Sequence, residues 1–379
     1  MIGRDVVIVG GGVVGLSIAY ELARAGVGST VLDRDRLGGG ASWAGAGLIP
    51  AESERTNGSP MIALRSRSAR LYPEWSDALR AETGIDNGYR KTGGVDVAAT
   101  PAEEAALQAM AGRWRVEGIT FERLAPSDFA RVEPALNPAL RVAYYLADRA
   151  QVRNPRHLKA LAAACLARGV ILRPGVASLG FDGNHGRIDA VRTLEGAIPC
   201  GTLIIAAGAW SGGLLDGLGV RVPTPPLKGQ IVLLRSDRPL LRRIVEHGKN
   251  YLVPRDDGRI LIGATEDDSG FDARPTALGS ESLIAEAISL CPILAEADVE
   301  LTWAGLRPGS IDTRPTIGRA PEYANLIIAT GHKRAGLQLS PATAEAVVNL
   351  LLDRPPRVPL DAFRPGREPA RGGDETFRY

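Results

Sequence analysis

Three glycines and one carboxylate near the amino terminus have the residue types and the spacing of a nucleotide-binding site. Gly10, Gly12 and Gly15 fit the pattern G-x-G-x-x-G, in which the first glycine permits a tight turn, the second lets the backbone approach a pyrophosphate, and the third allows a helix to pack closely on a strand. Asp33 follows at the distance of a carboxylate that accepts hydrogen bonds from ribose hydroxyls. The pattern indicates a dinucleotide site. It leaves NAD and FAD open, and Arg34 keeps NADP open as well.

The elements around these glycines form a βαβ unit. Residues 5–9 are a short, β-branched run typical of a buried strand, and a helix with apolar residues at helical spacing follows and ends at Gly26. Residues 29–32 are predicted to be a second strand. Such a unit implies parallel strands and a helix amino terminus that faces a bound anion. A glycine-rich turn without a ligand is the alternative interpretation.

The pattern of predicted strands and helices changes twice along the rest of the chain. Strands alternate with helices again after residue 148 and after residue 303, whereas the region 228–263 has short β-rich runs separated by turn residues, as in an antiparallel sheet. The predicted strands are 170–172, 203–205, 230–234, 251–253, 259–262 and 325–329. The predicted helices are 60–83 with a break at Pro73, one capped by Asn154-Pro155, 280–290, and 341–352.

This order of elements predicts the α/β class, with a Rossmann-type nucleotide-binding domain and an inserted, mostly antiparallel-sheet (α+β) substrate-binding domain. Each domain is expected to be assembled from separated segments. The nucleotide-binding domain would comprise 1–84, 148–224 and 303–365, the substrate-binding domain 85–147 and 225–302. Residues 366–379, rich in Pro, Arg and Gly, are predicted to be a disordered tail.

Composition excludes several classes of protein. The 379 residues are 45% hydrophobic and 23% charged with a net charge of only +2, so no electrostatic argument favours a nucleic-acid or membrane partner. We see no signal-peptide pattern and no apolar stretch long enough to span a membrane. Sparse cysteines without a CxxC pair suit a reducing compartment, so we expect a soluble, cytoplasmic protein. No metal site is expected from Cys165, Cys200 and Cys291 or from His157, His185, His247 and His332.

Four further segments decide between the dinucleotides by resemblance. They are Gly38–Leu48, Thr202–Ser211, Trp303–Gly309 with Pro315–Gly318, and Thr330–Thr343. Together with the glycine pattern, and in this order, they resemble the D-amino-acid-oxidase superfamily of FAD-dependent enzymes, and within it the glycine oxidases of thiamine biosynthesis. The resemblance runs from residue 5 to about 365. It therefore implies FAD, and the first domain becomes an FAD-binding domain. Because none of these motifs contains a cysteine, FAD is expected to be non-covalent.

The resemblance also implies roles for individual residues. Tyr251 and Arg307 would hold the substrate carboxylate, and Arg334 would lie beside the flavin ring on the substrate side. The residues implied to contact FAD are Gly10, Gly12, Val14, Gly15, Asp33, Arg34, Ala41, Ser42, Ala46, Gly47, Leu48, Val176, Ala207, Gly208, Trp210, Gly331, His332, Arg334, Ala335, Gly336 and Leu337.

Physical chemistry supports the substrate residues independently. A guanidinium offers a two-pronged donor to a carboxylate, and a tyrosine hydroxyl adds one directional donor. Each residue also has a structural alternative: Tyr251 as a cross-strand core aromatic, Arg307 as a partner in a structural ion pair, and Arg334 as a solvated side chain. Lys249-Asn250 and Lys333 depart from the family pattern at positions that bear on the pocket entrance, and Trp43 replaces a small residue in the flavin loop.

The implied activity is oxidative deamination of glycine and other small amines such as sarcosine and small D-amino acids. A hydride would pass from Cα to flavin N5, and oxygen would be reduced to hydrogen peroxide. The resemblance also implies a homo-oligomer. Two alternatives stay open: a D-amino-acid or hydroxy-acid dehydrogenase that passes electrons to a quinone, and a flavoprotein module for RNA modification, for which a basic patch is missing.

Overall fold

The structure is a computed structural model that describes residues 2–56, 58–184 and 186–369. Two large sheets and two small ones organise this part of the chain. The strands are β1 (Ile2–Val9), β2 (Val27–Asp33), β3 (Leu48–Ile49), β4 (Gly94–Ala98), β5 (Glu122–Leu124), β6 (Val142–Leu146), β7 (Ala150–Gln151), β8 (Ile171–Pro174), β9 (Gly180–Asn184), β10 (Arg187–Thr193), β11 (Gly196–Pro199), β12 (Thr202–Ile205), β13 (Pro226–Arg235), β14 (Ile244–His247), β15 (Asn250–Pro254), β16 (Arg259–Gly263), β17 (Asp298–Pro308), β18 (Thr316–Arg319) and β19 (Leu326–Thr330).

Most helices pack over the faces of the two large sheets. The helices are α1 (Val13–Arg24), α2 (Ala41–Ala44), α3 (Pro60–Thr83), α4 (Pro101–Glu117), α5 (Phe129–Val132), α6 (Asn154–Ala167), α7 (Ser211–Asp216), α8 (Ala277–Leu290) and α9 (Gly336–Leu351). Among the described residues, no helix is both long and apolar enough to cross a membrane.

The first large sheet has the order β18-β19-β12-β1-β2-β8, and all its pairs except β18–β19 are parallel. Residues 6–9 of β1, 203–205 of β12 and 326–329 of β19 are all apolar and buried, because both faces of the sheet are covered there. In β1, Val6 and Ile8 face a core that includes α1, α3, α6 and α9, whereas Val7 and Val9 face a second core built with β10 and α7. The sheet is therefore the middle layer of a three-layer unit, as the βαβ pattern predicts.

The second large sheet has the order β17-β13-β16-β15-β14-β4-β6-β5 and is antiparallel except for the pair β14–β4. One face packs on α5 and α8, with Val232, Val245 and Leu283 fully buried there. Its strands come from 94–146 and 226–308. The strand β17 continues to Pro308, past the expected segment boundary at 303, because it pairs with β13 along its whole length, to Pro226.

The helix α3 corrects one prediction, since it runs through Pro73 without a break. Proline removes one helical hydrogen bond and its ring crowds the preceding turn, which is the reason to expect a break. Pro73 is on the exposed side, whereas Tyr72 and Trp75 on either side are almost fully buried. Burial of these two aromatic rings, each worth on the order of 2 kcal/mol or more, offsets the cost of the proline.

The helix α9 begins at Gly336, five residues before the predicted start at Pro341. Pro341 has no N–H, so the carbonyl of Leu337, one turn earlier, lacks its helical donor. Two hydroxyls take its place: Tyr72 donates to this oxygen at 2.5 Å and Ser340 donates at 3.0 Å. A contact between distant segments thus permits a helix start that local sequence argues against.

The carboxyl-terminal tail corrects a second prediction in part. Arg367, inside the tail predicted to be disordered, is almost buried and forms a bidentate ion pair with Asp312 at 2.8 and 3.1 Å. The packed chain therefore extends beyond residue 365, because Asp312 is itself buried and needs a cation. The remainder of the predicted tail, 370–379, lies outside the described residues.

A histidine at the end of β14 lies between carboxylates of two helices. From these contacts we expect the stability of the fold to depend on pH. His247 Nδ1 lies 2.5 Å from Glu286 of α8, and Nε2 lies 3.1 Å from Glu103 of α4. The hydrogen bond to Glu286 is the largest of the effects that raise the pKa of His247 to about 8. A raised pKa stabilises the fold fully below the unfolded value of about 6.5, and this stabilisation is lost as pH rises through 8.

We expect this ion pair to contribute at most about 2 kcal/mol below pH 6.5 and nothing above pH 9. Urea unfolding of the wild type and of His247→Gln at pH 6 and pH 9 measures it as the difference between the two proteins. Equal differences at both pH values would contradict the prediction.

Candidate functional site

A cavity of about 1050 Å³ lies between the carboxyl ends of the parallel strands and the face of the second sheet that carries β13, β15 and β17. This volume exceeds that of a typical site for one drug-sized ligand, and it suits a ligand as long as a dinucleotide. Most residues singled out from the sequence line it: Gly10, Gly12, Val14, Asp33, Arg34, Ala41, Ser42, Ala46, Gly47, Leu48, Val176, Ala207, Gly208, Trp210, Tyr251, Arg307, His332, Arg334, Gly336 and Leu337.

Three of the residues singled out are not in the cavity wall: Gly15, Gly331 and Ala335. Gly15 packs instead, since a Cβ there would lie 1.9 Å from the carbonyl oxygen of Gly10. That is the packing role which the glycine pattern predicts for its third glycine. Gly331 has a φ of +73°, and Ala335 belongs to the core beside α9, so both shape the loop without facing the cavity.

The turn between β1 and α1 is built for a close backbone approach. Gly10 has a φ of +114°, and a Cβ there would lie 2.3 Å from the carbonyl oxygen of Ala206, the residue that follows the neighbouring strand β12. Asp33, at the end of β2, accepts hydrogen bonds from the N–H of Gly11 at 2.7 Å and of Asp35 at 2.9 Å. Burial raises the pKa of Asp33 above its ordinary value. The amino terminus of α1 and this carboxylate therefore meet at one end of the cavity, as a pyrophosphate and a ribose require.

The small-residue loop before β3 is held by hydrogen bonds to α1 and α6. Ser42 Oγ accepts the N–H of Val13 at 2.9 Å, and the Ser42 carbonyl accepts Asn154 Nδ2 at 2.7 Å. Asn154 was predicted to cap α6, but the helix already includes it, and its amide is used to position the loop. Sequence reasoning missed this role because 112 residues separate Asn154 from Ser42.

The second sheet holds the same loop from the opposite side. Arg255 Nη2 donates to the carbonyl of Ala46 at 2.7 Å, and Trp303 Nε1 donates to the carbonyl of Ala44 at 3.1 Å. Trp43 packs against Trp303 with ring centroids 5.2 Å apart. Burial lowers the pKa of Arg255 to about 10, so its guanidinium stays charged at neutral pH. The loop is thereby fixed relative to both sheets.

An aromatic wall lines the cavity beside Asp33. The guanidinium carbon of Arg34 lies 3.8 Å from the ring centroid of Trp210, and the ring of Trp210 packs on Phe271 at 5.3 Å. A cation over an aromatic face gains about 0.5 to 2 kcal/mol. Arg34 and Trp210 were both implied to contact the cofactor, and Phe271, which no sequence pattern indicated, joins them.

Tyr251 and Arg307 meet at the other end of the cavity. Arg307 Nη1 donates to the carbonyl of Thr265 at 3.1 Å, and the positive charge of Arg307 acts on the Tyr251 hydroxyl. Two glycines make room for them. A Cβ on Gly263, opposite Tyr251 in the sheet, would lie 2.5 Å from its hydroxyl, and a Cβ on Gly229 would lie 2.2 Å from the guanidinium of Arg307. Burial raises the pKa of Tyr251, so the hydroxyl stays protonated as a donor.

Arg334 lies at the same end, paired with a carboxylate that the sequence did not point to. Its Nε and Nη2 donate to Glu266 Oε2 at 3.0 and 2.6 Å, and Arg307 Nη1 lies 4.0 Å from the same oxygen. The side chain of Arg334 is 22% exposed, so it is not the freely solvated residue of the structural alternative. Glu266 could not be found by pattern, because its partner is 68 residues away.

Cysteine and metal chemistry are not indicated around this cavity. Cys165, Cys200 and Cys291 are free, buried and outside its wall. The described residues contain no cluster of His, Cys, Asp and Glu that could hold a metal ion, and His185 lies outside them. His332 does line the cavity, with Nε2 3.1 Å from Thr343 Oγ1, and burial lowers its pKa to about 4. It is therefore a neutral wall residue at physiological pH.

Comparisons with known proteins identify the family of the chain. The model of a family described as FAD dependent oxidoreductase (DAO) matches residues 5–350. A glycine oxidase of Pseudomonas putida is 38% identical over 366 residues, which are 96% of this chain and 98% of that protein. The crystal structure of glycine oxidase from Geobacillus kaustophilus matches with a TM-score of 0.92 at 33% identity, over 96% of this chain and 99% of that one. An iminodiacetate oxidase from Chelativorans sp. BNC1 matches with a TM-score of 0.86 at 30% identity, over 95% and 98% of the two chains.

Proposed function

The chain belongs to the DAO family of FAD-dependent oxidoreductases, and from that premise we propose that it is a glycine oxidase. It would oxidise glycine, and with it sarcosine and small D-amino acids, with oxygen as the electron acceptor. The observation that carries the proposal is the meeting of Tyr251 and Arg307 at one end of a dinucleotide-sized cavity. A carboxylate held there lies beside the wall that would take the flavin ring.

The residues of the cavity fit FAD. The turn at Gly10 and Gly12 with the amino terminus of α1 would hold the pyrophosphate, and Asp33 would accept a ribose hydroxyl. The loop from Ala41 to Leu48 and the start of α9 would line the flavin ring. Bound FAD supplies the acceptor for the hydride that leaves the substrate Cα. Since the cavity wall holds no cysteine among the described residues, we propose that the cofactor is bound non-covalently.

The protein's part in the reaction is to bind and orient the substrate. The guanidinium of Arg307 offers two donors to the substrate carboxylate and the Tyr251 hydroxyl offers one. With both held, the Cα–H has a fixed direction toward the flavin, and this positioning is the main source of catalysis. No side-chain base is needed, because the reactive form of the substrate is the neutral amine.

Hydrogen peroxide release tests the proposal. The purified holoenzyme in air should release peroxide with glycine and with sarcosine and none with L-alanine. Balanced for glycine, one oxygen and one water give glyoxylate, ammonia and hydrogen peroxide. Bleaching of the flavin without peroxide in air would instead identify a dehydrogenase. Failure of every small amino acid to reduce the flavin would overturn the assignment of substrate.

Several wider features are proposed with this function. We propose that the two large sheets mark an FAD-binding and a substrate-binding domain, and that the enzyme acts in thiamine biosynthesis as a cytoplasmic homo-oligomer. The three buried free thiols support a reducing compartment. Size-exclusion chromatography with light scattering measures the oligomeric state directly.

A further inference from the structure

We propose that Glu266 makes the substrate site selective for amines with a single carboxylate. It would do so by occupying Arg334, the cation that a second carboxylate would need. The proposal rests on the proposed function, in which Arg307 and Tyr251 hold the first carboxylate. It assigns to Glu266 a role as a specificity-determining residue.

The geometry ties Glu266 to both arginines. It follows the strand β16, and the single oxygen Oε2 accepts both Arg334 bonds, at 3.0 and 2.6 Å, while Arg307 Nη1 lies 4.0 Å away. The side chains of Glu266, Arg334 and Arg307 are 28%, 22% and 15% exposed. At such partial burial, solvent screens the charges less than at an open surface, which favours the pair between Glu266 and Arg334.

The charges around the site show what Glu266 changes. Arg307, Arg334, Lys249 and Lys333 all contribute to the cavity wall. Two guanidinium groups side by side would suit a substrate with two carboxylates, since each group binds one carboxylate with two hydrogen bonds. With Glu266 bound to Arg334, the site offers one such fork. A second carboxylate would have to displace Glu266 and would then lie close to its negative charge.

Two amines separate this electrostatic effect from size. Iminodiacetate carries a second carboxylate on its nitrogen substituent, and N-ethylglycine has a methyl group in that place. Both lose the same Cα–H and two electrons to the flavin, and oxygen then takes up these electrons as peroxide. Hydrolysis of the imine gives glyoxylate with glycine from iminodiacetate, or with ethylamine from N-ethylglycine. Initial rates are required, because the glycine released is itself a substrate of the proposed enzyme.

The test is the ratio of kcat/KM for iminodiacetate to kcat/KM for N-ethylglycine in holoenzyme carrying Glu266→Gln. Glutamine keeps the shape of the side chain and removes its charge. We expect the ratio to rise about tenfold or more, since close like charges of this kind discriminate strongly between ligands. A purely structural role would lower both rates together and leave the ratio unchanged, which would overturn the proposal.

Asp267→Asn is the matched control. Asp267 is the next residue, its side chain is exposed and accepts Thr265 Oγ1 at 2.8 Å, and its backbone bonds to Lys228 are kept in the variant. The control should leave the ratio within about twofold of the wild type, as for a screened surface charge. An equal rise in both variants would show a general charge effect and overturn the specific role of Glu266.

A binding measurement keeps this test independent of turnover. Acetate and malonate are titrated into the holoenzyme, and the change in flavin absorbance reports binding. Wild type should favour acetate and Glu266→Gln should favour malonate. If wild type oxidises no amine, the proposed function fails while this titration still decides the role of Glu266. If glycine is oxidised and the preference for acetate is the same in both proteins, the role of Glu266 fails alone.

Discussion

Replacing Arg307 by alanine should lower kcat/KM for glycine about a thousandfold. The variant loses a two-pronged, partly buried donor to the substrate carboxylate, and charged hydrogen bonds of this kind are worth about 1.5 to 3 kcal/mol each. It also removes the donor that Arg307 supplies to the carbonyl of Thr265 at 3.1 Å. A loss of about 4 kcal/mol corresponds to the thousandfold decrease. Steady-state peroxide release over a wide range of glycine concentrations measures it.

Two variants show whether this loss concerns the substrate. Arg307→Lys keeps the charge without the fork, so its activity should lie between those of wild type and Arg307→Ala. Arg259→Ala removes an arginine of the same sheet that lies outside the cavity wall. Its guanidinium donates to Glu300 in two hydrogen bonds of 2.7 Å. It should change kcat/KM less than twofold, as for an ordinary surface ion pair. An Arg307→Ala enzyme with normal FAD content and normal activity would refute the role of Arg307.

Replacing Asp33 by alanine should weaken FAD binding about a hundredfold. The carboxylate accepts the N–H of Gly11 at 2.7 Å and of Asp35 at 2.9 Å, and it stands where a ribose hydroxyl would bind. Its removal leaves the Gly11 N–H unpaired in the turn that approaches the pyrophosphate. Losing such a charged acceptor costs about 3 kcal/mol. Fluorescence titration of the apoprotein with FAD measures the change in Kd.

Two further variants separate the site from the surrounding surface. Glu74→Ala removes an exposed carboxylate that pairs with Arg24 of α1 at 3.2 Å outside the cavity wall, and it should leave the Kd for FAD within about twofold. In Asp33→Asn the amide oxygen can still accept the Gly11 N–H, so this variant should lose less affinity for FAD than Asp33→Ala. An unchanged Kd in Asp33→Ala would show that the carboxylate does not contact the cofactor.

Local sequence predicts those parts of the fold whose signals are local. The unit β1–α1–β2 was predicted because its glycine pattern, its strand runs and the stop at Gly26 lie within one short stretch of chain. The predicted break at Pro73 was wrong, because burial of Tyr72 and Trp75 offsets the cost of the proline. The predicted helix start at Pro341 was wrong, because the Tyr72 hydroxyl donates to the Leu337 carbonyl that the proline leaves without a donor. The strands β4 and β6 were not predicted, since β6 pairs with β4 and β4 pairs with β14, where Gly94 lies opposite Ile244, 150 residues away in sequence.

The residues of the site also divide into those that a local sequence pattern indicates and those that it does not. Gly12 and Asp33 follow from the pattern, whereas Tyr251 and Arg307 could be chosen only through a family resemblance, because a lone tyrosine or arginine carries no spacing signal. Neither the sequence pattern nor the family resemblance indicated the roles of Glu266 and Asn154 in the site. Each acts on a residue far along the chain, and only the folded arrangement brings the partners together.

The order of strands in the first sheet has a consequence for biosynthesis. β1 is central, but its neighbour β12 ends at residue 205 and the next strand, β19, ends at residue 330. At about 5 to 20 residues per second, the nascent chain on the ribosome would wait roughly 15 to 60 seconds between the synthesis of β1 and that of β19. During that time the apolar β1 and α1 lack part of their cover. The nucleotide pocket therefore cannot form during early translation, and a chain truncated before residue 330 should be a chaperone client that cannot retain FAD.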